Sequence, residues 1–208
     1  APATSYVNTK VISPWIEDVQ KASGGEIAIK LFAGPVLGDF RSIYDRTIKG
    51  VADMSFGIFG PLGGQFARTA VSSLPFEAKM PLEGGLALWR VYEKGLLAKE
   101  FEKVKVLALF NFPTANFHTR DPIKSLADVQ GKKFSVSART IGEVLSRLGG
   151  APVSMPPPEI YQSLQRGLID GVVTSWTAVK TFKLTEVTKH HLEVPLGMSP
   201  AYVFMNKG

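Results

Sequence analysis

The side chains that most often perform chemistry are few in this sequence. It contains three histidines, His118, His190 and His191, and no cysteine. A metal site needs clustered ligands, whereas neighbouring histidines near a predicted helix end point in different directions. The sequence has no G-x-S-x-G nucleophile elbow and no G-x-G-x-x-G after a strand. We therefore expect no metal and no cofactor, and a small-molecule enzyme stays open only as an alternative.

Aromatic rings at the ends of predicted strands favour binding instead of catalysis. Two of them follow the first predicted strand of a repeated pattern, two lie on a polar and aromatic crossing segment, and one ends the second copy. These rings are Phe56, Phe59, Phe112, Phe117 and Trp176. Ligands of open α/β sheets bind at the carboxyl ends of strands. The set therefore predicts a small-molecule pocket.

A repeated pattern supplies the elements that would position these rings. Residues 43–59 read IYDRTIKGVADMSFGIF, and residues 160–176 read IYQSLQRGLIDGVVTSW. In each copy a helix ends in a cation and a glycine, Gly50 or Gly167, as expected for a left-handed residue after a helix. A short apolar run then predicts a strand buried between helices. Two copies predict two α/β halves that face one another across a cleft.

The remaining elements follow from periodicity and from turn residues. Residues 1–8 are predicted to be a loop, and a helix should begin at Ser13-Pro14, where serine suits the N-cap and proline the first helical position. Other predicted helices cover residues 40–49, 140–148 and 181–191. Predicted strands cover residues 26–32, 104–112, 132–137 and 201–205.

Composition indicates an ordinary globular protein of one large or two small domains. The chain has 208 residues, of which 45% are hydrophobic and 20% are charged. No run of 18 apolar residues is present, so no membrane span is expected. The net charge of +6 would suit an anionic partner. Because the cations are scattered, a solvated surface is favoured over a nucleic-acid site, and no nucleic-acid partner is expected.

Segments spread over nearly the whole chain carry a family pattern. They are SGGEIAIKLFAGPVLGDF, IKGVADMSFG, PIKSLADVQGKKFSV, LGGAPVSMPPPEIYQSLQRGLIDG and FKLTEVTKHH. With these segments the sequence resembles the extracytoplasmic solute receptors of tripartite ATP-independent periplasmic (TRAP) transporters, of the dicarboxylate-receptor type. The resemblance implies a periplasmic protein without catalysis that captures a small organic acid. Its partners would be the membrane permease subunits of the transporter.

The resemblance also implies a fold. We expect a two-domain α/β architecture of the type II periplasmic-binding-protein kind, which would close by hinge motion over its ligand. The first domain would cover residues 1–112 and the second residues 121–195. Residues 113–120 would cross between them, and residues 196–208 would return as a crossing strand. Family members normally have a strand before Ala1 and helices after Gly208, so the sequence is expected to be truncated at both ends.

Several positions depart from the pattern that the resemblance implies. Family members often carry a ligand-binding arginine, a second arginine, a polar residue and an asparagine where this chain has Ser135, Ala115, Ile58 and Thr174, respectively. Without a bidentate carboxylate clamp, the ligand should differ from a simple dicarboxylate. Arg139 would supply the charge from a shifted position, or the ligand is neutral, bulky or aromatic and stacks on the rings. Tyr6 completes the predicted ligand-binding set.

Overall fold

Two β-sheets with flanking helices form the protein in a computed structural model that describes residues 2–208. The helices are α1 (Ser13–Ala22), α2 (Ile43–Ile48), α3 (Pro81–Glu93), α4 (Arg139–Arg147), α5 (Pro157–Gln165) and α6 (Trp176–Thr181). The strands are β1 (Met54–Ile58), β2 (Lys105–Phe112), β3 (Asn116–Thr119), β4 (Lys133–Val136), β5 (Ala151–Val153), β6 (Gly171–Thr174), β7 (His190–Leu192) and β8 (Ser199–Met205). No helix in the described part of the chain is long and apolar enough to cross a bilayer.

The first sheet has three antiparallel strands in the order β1-β8-β2. One face is covered by α2 and α3, through a core of aromatic and aliphatic side chains that includes Tyr44, Phe66, Leu88, Phe101, Tyr202 and Phe204. The opposite face carries Phe56, Phe110 and Phe112, which are only half-buried. Strand residues alternate between faces, so the rings of this second face are directed away from the core.

The second sheet has five strands in the order β5-β4-β6-β3-β7 and is covered on both faces. Strand β4 runs parallel to β5 and β6, and β3 pairs antiparallel with β6 and β7. Helix α4 packs on one face through Ile141 and Leu145. Helices α5 and α6 pack on the other face through Ile160, Leu164 and Val179. All residues of β3 and β6 are therefore buried.

The structure confirms the repeated helix, glycine and strand, and it places the copies in different sheets. Helix α2 leads into β1, and α5 leads into β6. Gly50 and Gly167 both have φ +70°. In both turns the residue after the glycine donates its N–H back to a helix carbonyl, Val51 to Arg46 at 2.9 Å and Leu168 to Ser163 at 2.9 Å. These bonds satisfy carbonyl groups that a helix end leaves unpaired.

Two short segments carry the chain between the sheets. The chain leaves the first sheet after Phe112, and β3 already belongs to the second sheet from Asn116. It returns between β7 and β8. The two crossings are hydrogen-bonded to each other, because Ala115 N–H donates to Gly197 O at 2.7 Å and Leu196 N–H donates to Ala115 O at 3.2 Å.

Two sequence-based predictions of secondary structure are wrong. Residues 26–32 are assigned to no strand, because no described strand pairs with them. Residues 181–191 are not one helix, since α6 ends at Thr181 and a short 3-10 turn, Leu184–Glu186, follows. His191 instead pairs with His118 of β3, so residues 190–192 join the edge of the second sheet.

The beginning of the chain is also more ordered than predicted. Residues 6–7 are helical, and a π-helical turn at Asn8–Ile12 continues into α1. Helix α2 begins at Ile43, later than predicted. The reason is a local turn in which the Asp39 carboxylate accepts hydrogen bonds from the backbone N–H groups of Arg41 and Ser42. Such side-chain turns compete with helix formation.

Candidate ligand-binding cleft

A cavity of about 1830 Å³ lies against both sheets. From the first sheet it is lined by Phe56, Phe110 and Phe112, and from the second by Ser135 and Thr174. It exceeds the usual range for small-molecule pockets, roughly 300–1,000 Å³, because it extends along the half-buried face of the first sheet and along residues 27–35. A ligand would therefore occupy only part of this space.

Six predicted site residues line the cavity. They come from the ends of β1, β2, β4 and β6 and from the first turn of α4. The six residues are Phe56, Ile58, Phe112, Ser135, Arg139 and Thr174. Their meeting depends on the long-range pairing of the strands, since Ile58 and Thr174 lie more than a hundred positions apart in the chain.

Three predicted residues lie in the cores of the two sheets and not at the cavity. Phe59 packs on Phe66 and Tyr202, each with ring centroids 5.0 Å apart. Phe117 packs on Phe134 at 5.2 Å, because strand alternation points it towards α4. Ala115 is buried in the same core as Phe117, which is two residues away and therefore on the same side of the chain.

Trp176 and Tyr6 also lie outside the cavity. Trp176 begins α6, and its ring packs against His118 and His191 with centroids 4.7 Å and 4.8 Å apart. Its Nε1–H donates to Glu193 Oε1 at 2.9 Å. Tyr6 belongs to the first helical residues and is 57% exposed. The helix that follows β6 turns Trp176 towards the outer edge of the second sheet.

His118 and His191 form a pair behind Thr174, which lines the cavity. His118 is fully buried, its Nδ1 lies 2.9 Å from His191 Nδ1, and its Nε2 lies 3.2 Å from the carbonyl oxygen of Thr174. A neutral His118 with its proton on Nε2 satisfies both contacts, donating to Thr174 and accepting from His191. The pKa of His118 is lowered to about 4, mainly by burial and in smaller part by the nearby His191, against the raising effects of the Thr174 carbonyl and of Glu193.

Ser135 is a buried polar residue without a partner. Its side chain is 1% exposed, and its hydroxyl makes no hydrogen bond within residues 2–208. On β4 it lies between Val153 of β5 and Val172 of β6. Because buried hydroxyl groups are normally hydrogen-bonded, an unpaired one beside a cavity indicates a group that can contact a ligand.

Arg139 is a cation at the first position of α4. Its side chain is 81% exposed, and its Nε donates to Glu143 Oε1 at 3.0 Å, one helical turn further along. This is the only ion pair found in the described residues. An exposed pair of this kind contributes little stability. Arg139 can therefore turn towards an anion in the cavity at small cost.

Sequence reasoning missed the part of the cavity formed by the second lobe's helices. Met155 and Ile160 line it at the start of α5, and Ala178 and Phe182 line it beside α6. The signal that points to the first pair is the triple proline at residues 156–158, since Pro157 occupies the first turn of α5. No local signal identifies the second pair, because the predicted helix lay in the wrong place.

Acid-base and metal chemistry have little support among the described residues. No group of three histidine, cysteine, aspartate or glutamate side chains could hold a metal ion in residues 2–208. The one strongly perturbed histidine, His118, faces Trp176 and His191 and is not among the residues that line the cavity. An acid-base pair would need titratable groups that converge on bound substrate.

Two sheets with flanking helices, joined by paired crossing segments, thus line one cavity. The whole chain, residues 1–208, matches the family described as bacterial extracellular solute-binding protein, family 7, and the chain belongs to this family. The predicted family and the predicted α/β fold are thereby confirmed. Proteins of this family bind solutes for transporters and are not enzymes.

Solved structures and curated relatives agree with this assignment. A marine metagenome TRAP solute-binding protein specific for aromatic acid ligands, in complex with 3-hydroxybenzoate, has 32% identity and a TM-score of 0.91 over 99% of this chain. A TRAP solute-binding protein from Rhodoferax ferrireducens, in complex with benzoate, has the same three values. A curated solute-binding protein from Chromohalobacter salexigens is 26% identical over 90% of this chain. This chain spans 66% of each of the two solved chains and 56% of the curated relative.

Proposed function

We propose that this protein is the periplasmic receptor of a TRAP transporter, and that it captures a small aromatic acid and delivers it to membrane permease subunits. The observation that carries the proposal is the two-sided lining of the cavity. The first sheet contributes mainly apolar and aromatic side chains, and the second lobe contributes hydroxyl groups and the cation Arg139 beside them. Lys30 and Arg41 are further cations of the lining, and they lie outside the strands of the first sheet. An aromatic acid has an apolar ring and a charged end, which match these two sides.

The ring would lie near the aromatic side chains of the first sheet. Phe56 and Phe110 are stacked with centroids 6.2 Å apart, and Phe112 meets both rings edge-on at 6.4 Å and 5.6 Å. All three are half-buried, so a ligand ring can cover them further. Each Å² of apolar surface removed from water contributes roughly 25 cal/mol, and edge or offset ring contacts add to it.

The charged end would be held by Arg139 in place of the arginine clamp typical of the family. Arg139 has only an exposed contact to Glu143 to give up. Because a single guanidinium can bind a carboxylate with two parallel hydrogen bonds, one arginine suffices for a monocarboxylate. A dicarboxylate would leave its second charge against apolar side chains, which is costly.

The relatives support an aromatic ligand. The two structural relatives reported above carry 3-hydroxybenzoate and benzoate, and both are 32% identical to this chain. Closure would bring the two sheets and their helices together around the ligand by bending the two crossings, residues 113–115 and residues 193–198. Contacts with both lobes would stabilise the closed state, as in other hinged receptors.

A calorimetric titration of the full-length protein tests the proposal. We expect benzoate and hydroxybenzoates to bind, with succinate and glucuronate as the aliphatic diacid and sugar-acid controls that bind weakly or not at all. Arg139→Gln should weaken benzoate binding at least tenfold, with Arg147→Gln, at the other end of α4, as the matched control. Tight binding of a control acid with no binding of any aromatic acid would overturn the proposal.

A further inference from the structure

The strongest unexplained group in the protein is the hydroxyl of Ser135. It is buried, it makes no hydrogen bond within residues 2–208, and it lies on the wall of the cavity. A buried hydroxyl without a partner is destabilising, and an alanine at the same place would remove that cost. Because this hydroxyl lies beside the cavity, a polar group of a bound ligand could form the missing hydrogen bond.

The surroundings of Ser135 are apolar. Its two cross-strand neighbours are Val153 and Val172, and neighbouring strand residues in register share a face of the sheet. Val172 belongs to the core cluster under α5 and α6, and Val153 packs against that cluster. Ser135 thus lies on the face of the second sheet that α5 and α6 cover, and Thr174, two residues after Val172, shares that face and also lines the cavity. Of these two residues, it is Ser135 whose hydroxyl is fully buried without a hydrogen bond in the described residues.

The cavity extends to this face. Met155, Ile160, Val172, Phe182 and Leu184 belong to the apolar cluster or pack against it, and they also line the cavity together with Ser135. We name this part of the cavity, formed by these five side chains and Ser135, the Ser135 recess. Its lining combines apolar side chains with one neutral group that can both donate and accept a hydrogen bond.

Such a recess discriminates between the two polar ends of a ligand. A carboxylate placed in it would lose its hydration and gain only hydrogen bonds from neutral hydroxyl groups, without a cation, which is highly unfavourable. A hydroxyl group on an aromatic ring has far less hydration to lose, and it can pair with Ser135 while the ring contacts the apolar lining. The charged end then remains on the open side of the cavity, where Arg139 is exposed.

We propose that the Ser135 recess recognises a hydroxyl substituent of the aromatic acid, and that it makes the receptor selective for hydroxylated rings. This inference rests on the proposed function, whose site it divides into a charged end and a hydroxyl end. A site built to pair with a ligand hydroxyl disfavours an analogue without it, because its own polar group is then left unpaired. Ser135 is then the residue that determines specificity.

The test compares benzoate with the three hydroxybenzoate isomers by calorimetry on the full-length protein. For the wild type, we expect the best isomer to bind about tenfold more tightly than benzoate, or more. In Ser135→Ala this ratio should fall towards one, because binding of the hydroxybenzoate weakens much more than binding of benzoate. Ser163→Ala, a matched change on α5 outside the cavity, should keep the wild-type ratio.

The other outcomes contradict the inference in distinguishable ways. A wild type that binds benzoate and all isomers equally shows that the recess recognises no hydroxyl, and the inference fails while the proposed function stands. If Ser135→Ala weakens the binding of benzoate and of hydroxybenzoate equally, the carboxylate lies at Ser135. The inference then fails while the proposed function stands. A wild type that binds no aromatic acid overturns both. Since Ser135→Ala removes an unpaired group, its melting temperature should not fall, which separates a binding defect from misfolding.

Discussion

The two copies of the repeated unit end in the same turn but feed strands with different surroundings. After Gly50 the chain enters β1, whose residues are alternately buried and half-buried. After Gly167 it enters β6, whose four residues are all buried. The local sequence therefore determines the turn, whereas the number of layers around each strand determines how much of it is buried.

The difference follows from the positions of the two strands in their sheets. Among the described strands, β1 pairs only with β8 and so lies at an edge, and β6 lies between β4 and β3. The helices differ in the chemistry of their buried residues. Leu164 of α5 and Thr47, at the matching position of α2, are both fully buried, but Leu164 belongs to an apolar cluster, whereas the Thr47 hydroxyl bonds the Ile43 carbonyl at 2.9 Å. Substitutions in the two copies should therefore separate what the copies share from what they do not.

The largest contrast is expected in the helix cores. Leu164→Ala should lower the free energy of unfolding by about 3 kcal/mol, because it leaves a cavity in a fully packed cluster. Ile48→Ala in the first copy should cost about 1 kcal/mol, since Ile48 is only partly buried. Urea denaturation measures both. Equal losses would show that the first copy is as tightly packed as the second.

A second contrast is the loss of stability between pH 6.5 and pH 4, which is expected mainly from the second sheet. The pKa of His118 is lowered from 6.5 to about 4 in the folded protein, mainly by burial. The unfolded chain therefore binds more protons below pH 6.5, so stability is full above that pH and falls as the pH drops towards 4. The loss should reach roughly 2–3 kcal/mol.

The variant His118→Phe isolates this effect. It removes the titrating group, so the difference in unfolding free energy between wild type and variant should change between pH 6.5 and pH 4 and stay constant above pH 7. Denaturation at a series of pH values provides the measurement. A pH-independent difference would mean that His118 is readily protonated in the folded state.

A third pair of substitutions should show what the copies share. Gly50→Ala and Gly167→Ala each place a Cβ on a residue with φ +70°, which costs about 1 kcal/mol. The added Cβ at Gly50 has no neighbour closer than Asn206 Nδ2 at 4.0 Å, and that at Gly167 meets only the movable end of Arg120. Thermal melting should show similar shifts, and a much larger one for Gly167→Ala would indicate that the second turn is additionally constrained.

The smallest effects are expected at the aspartates that precede the two strands. Asp170 Oδ2 accepts a hydrogen bond from the Lys133 backbone N–H at 2.7 Å, which connects it to β4. The Asp53 side chain has no hydrogen bond to any other described residue. Asp170→Ala should therefore cost roughly 0.5–1 kcal/mol, and Asp53→Ala close to nothing. Chemical denaturation of the two variants would contradict this contrast if their midpoints agreed.

Features that depend on neighbouring residues were predictable, and features that depend on distant ones were less so. The glycine turns and the strands that find partners follow from short patterns. Residues 26–32 have the alternation of a strand but no described partner, and residues 190–192 form a strand because β3 offers an edge. In both cases, the pairing with a distant segment determined whether the residues form a strand.

The candidate site shows the same division. Ser135 and Thr174 were identified from the resemblance, and the sheet brings both to the cavity. Phe117 and Trp176 were predicted from their places near strand ends, but the face on which each ring lies depends on packing. Phe117 faces α4, and Trp176 faces the histidine pair. The unpaired state of the Ser135 hydroxyl is visible only in three dimensions.

The bonded crossings between the sheets limit how the lobes can open. Because Ala115 bonds to Leu196 and Gly197, the two crossings form one ribbon and must bend together. A flat ribbon bends readily out of its plane and resists bending within it. Gly197 leaves no room for a side chain, since an added Cβ would meet the Ser73 carbonyl. The two lobes should therefore rotate about one hinge axis. They should not slide past each other, as two independent connections would allow.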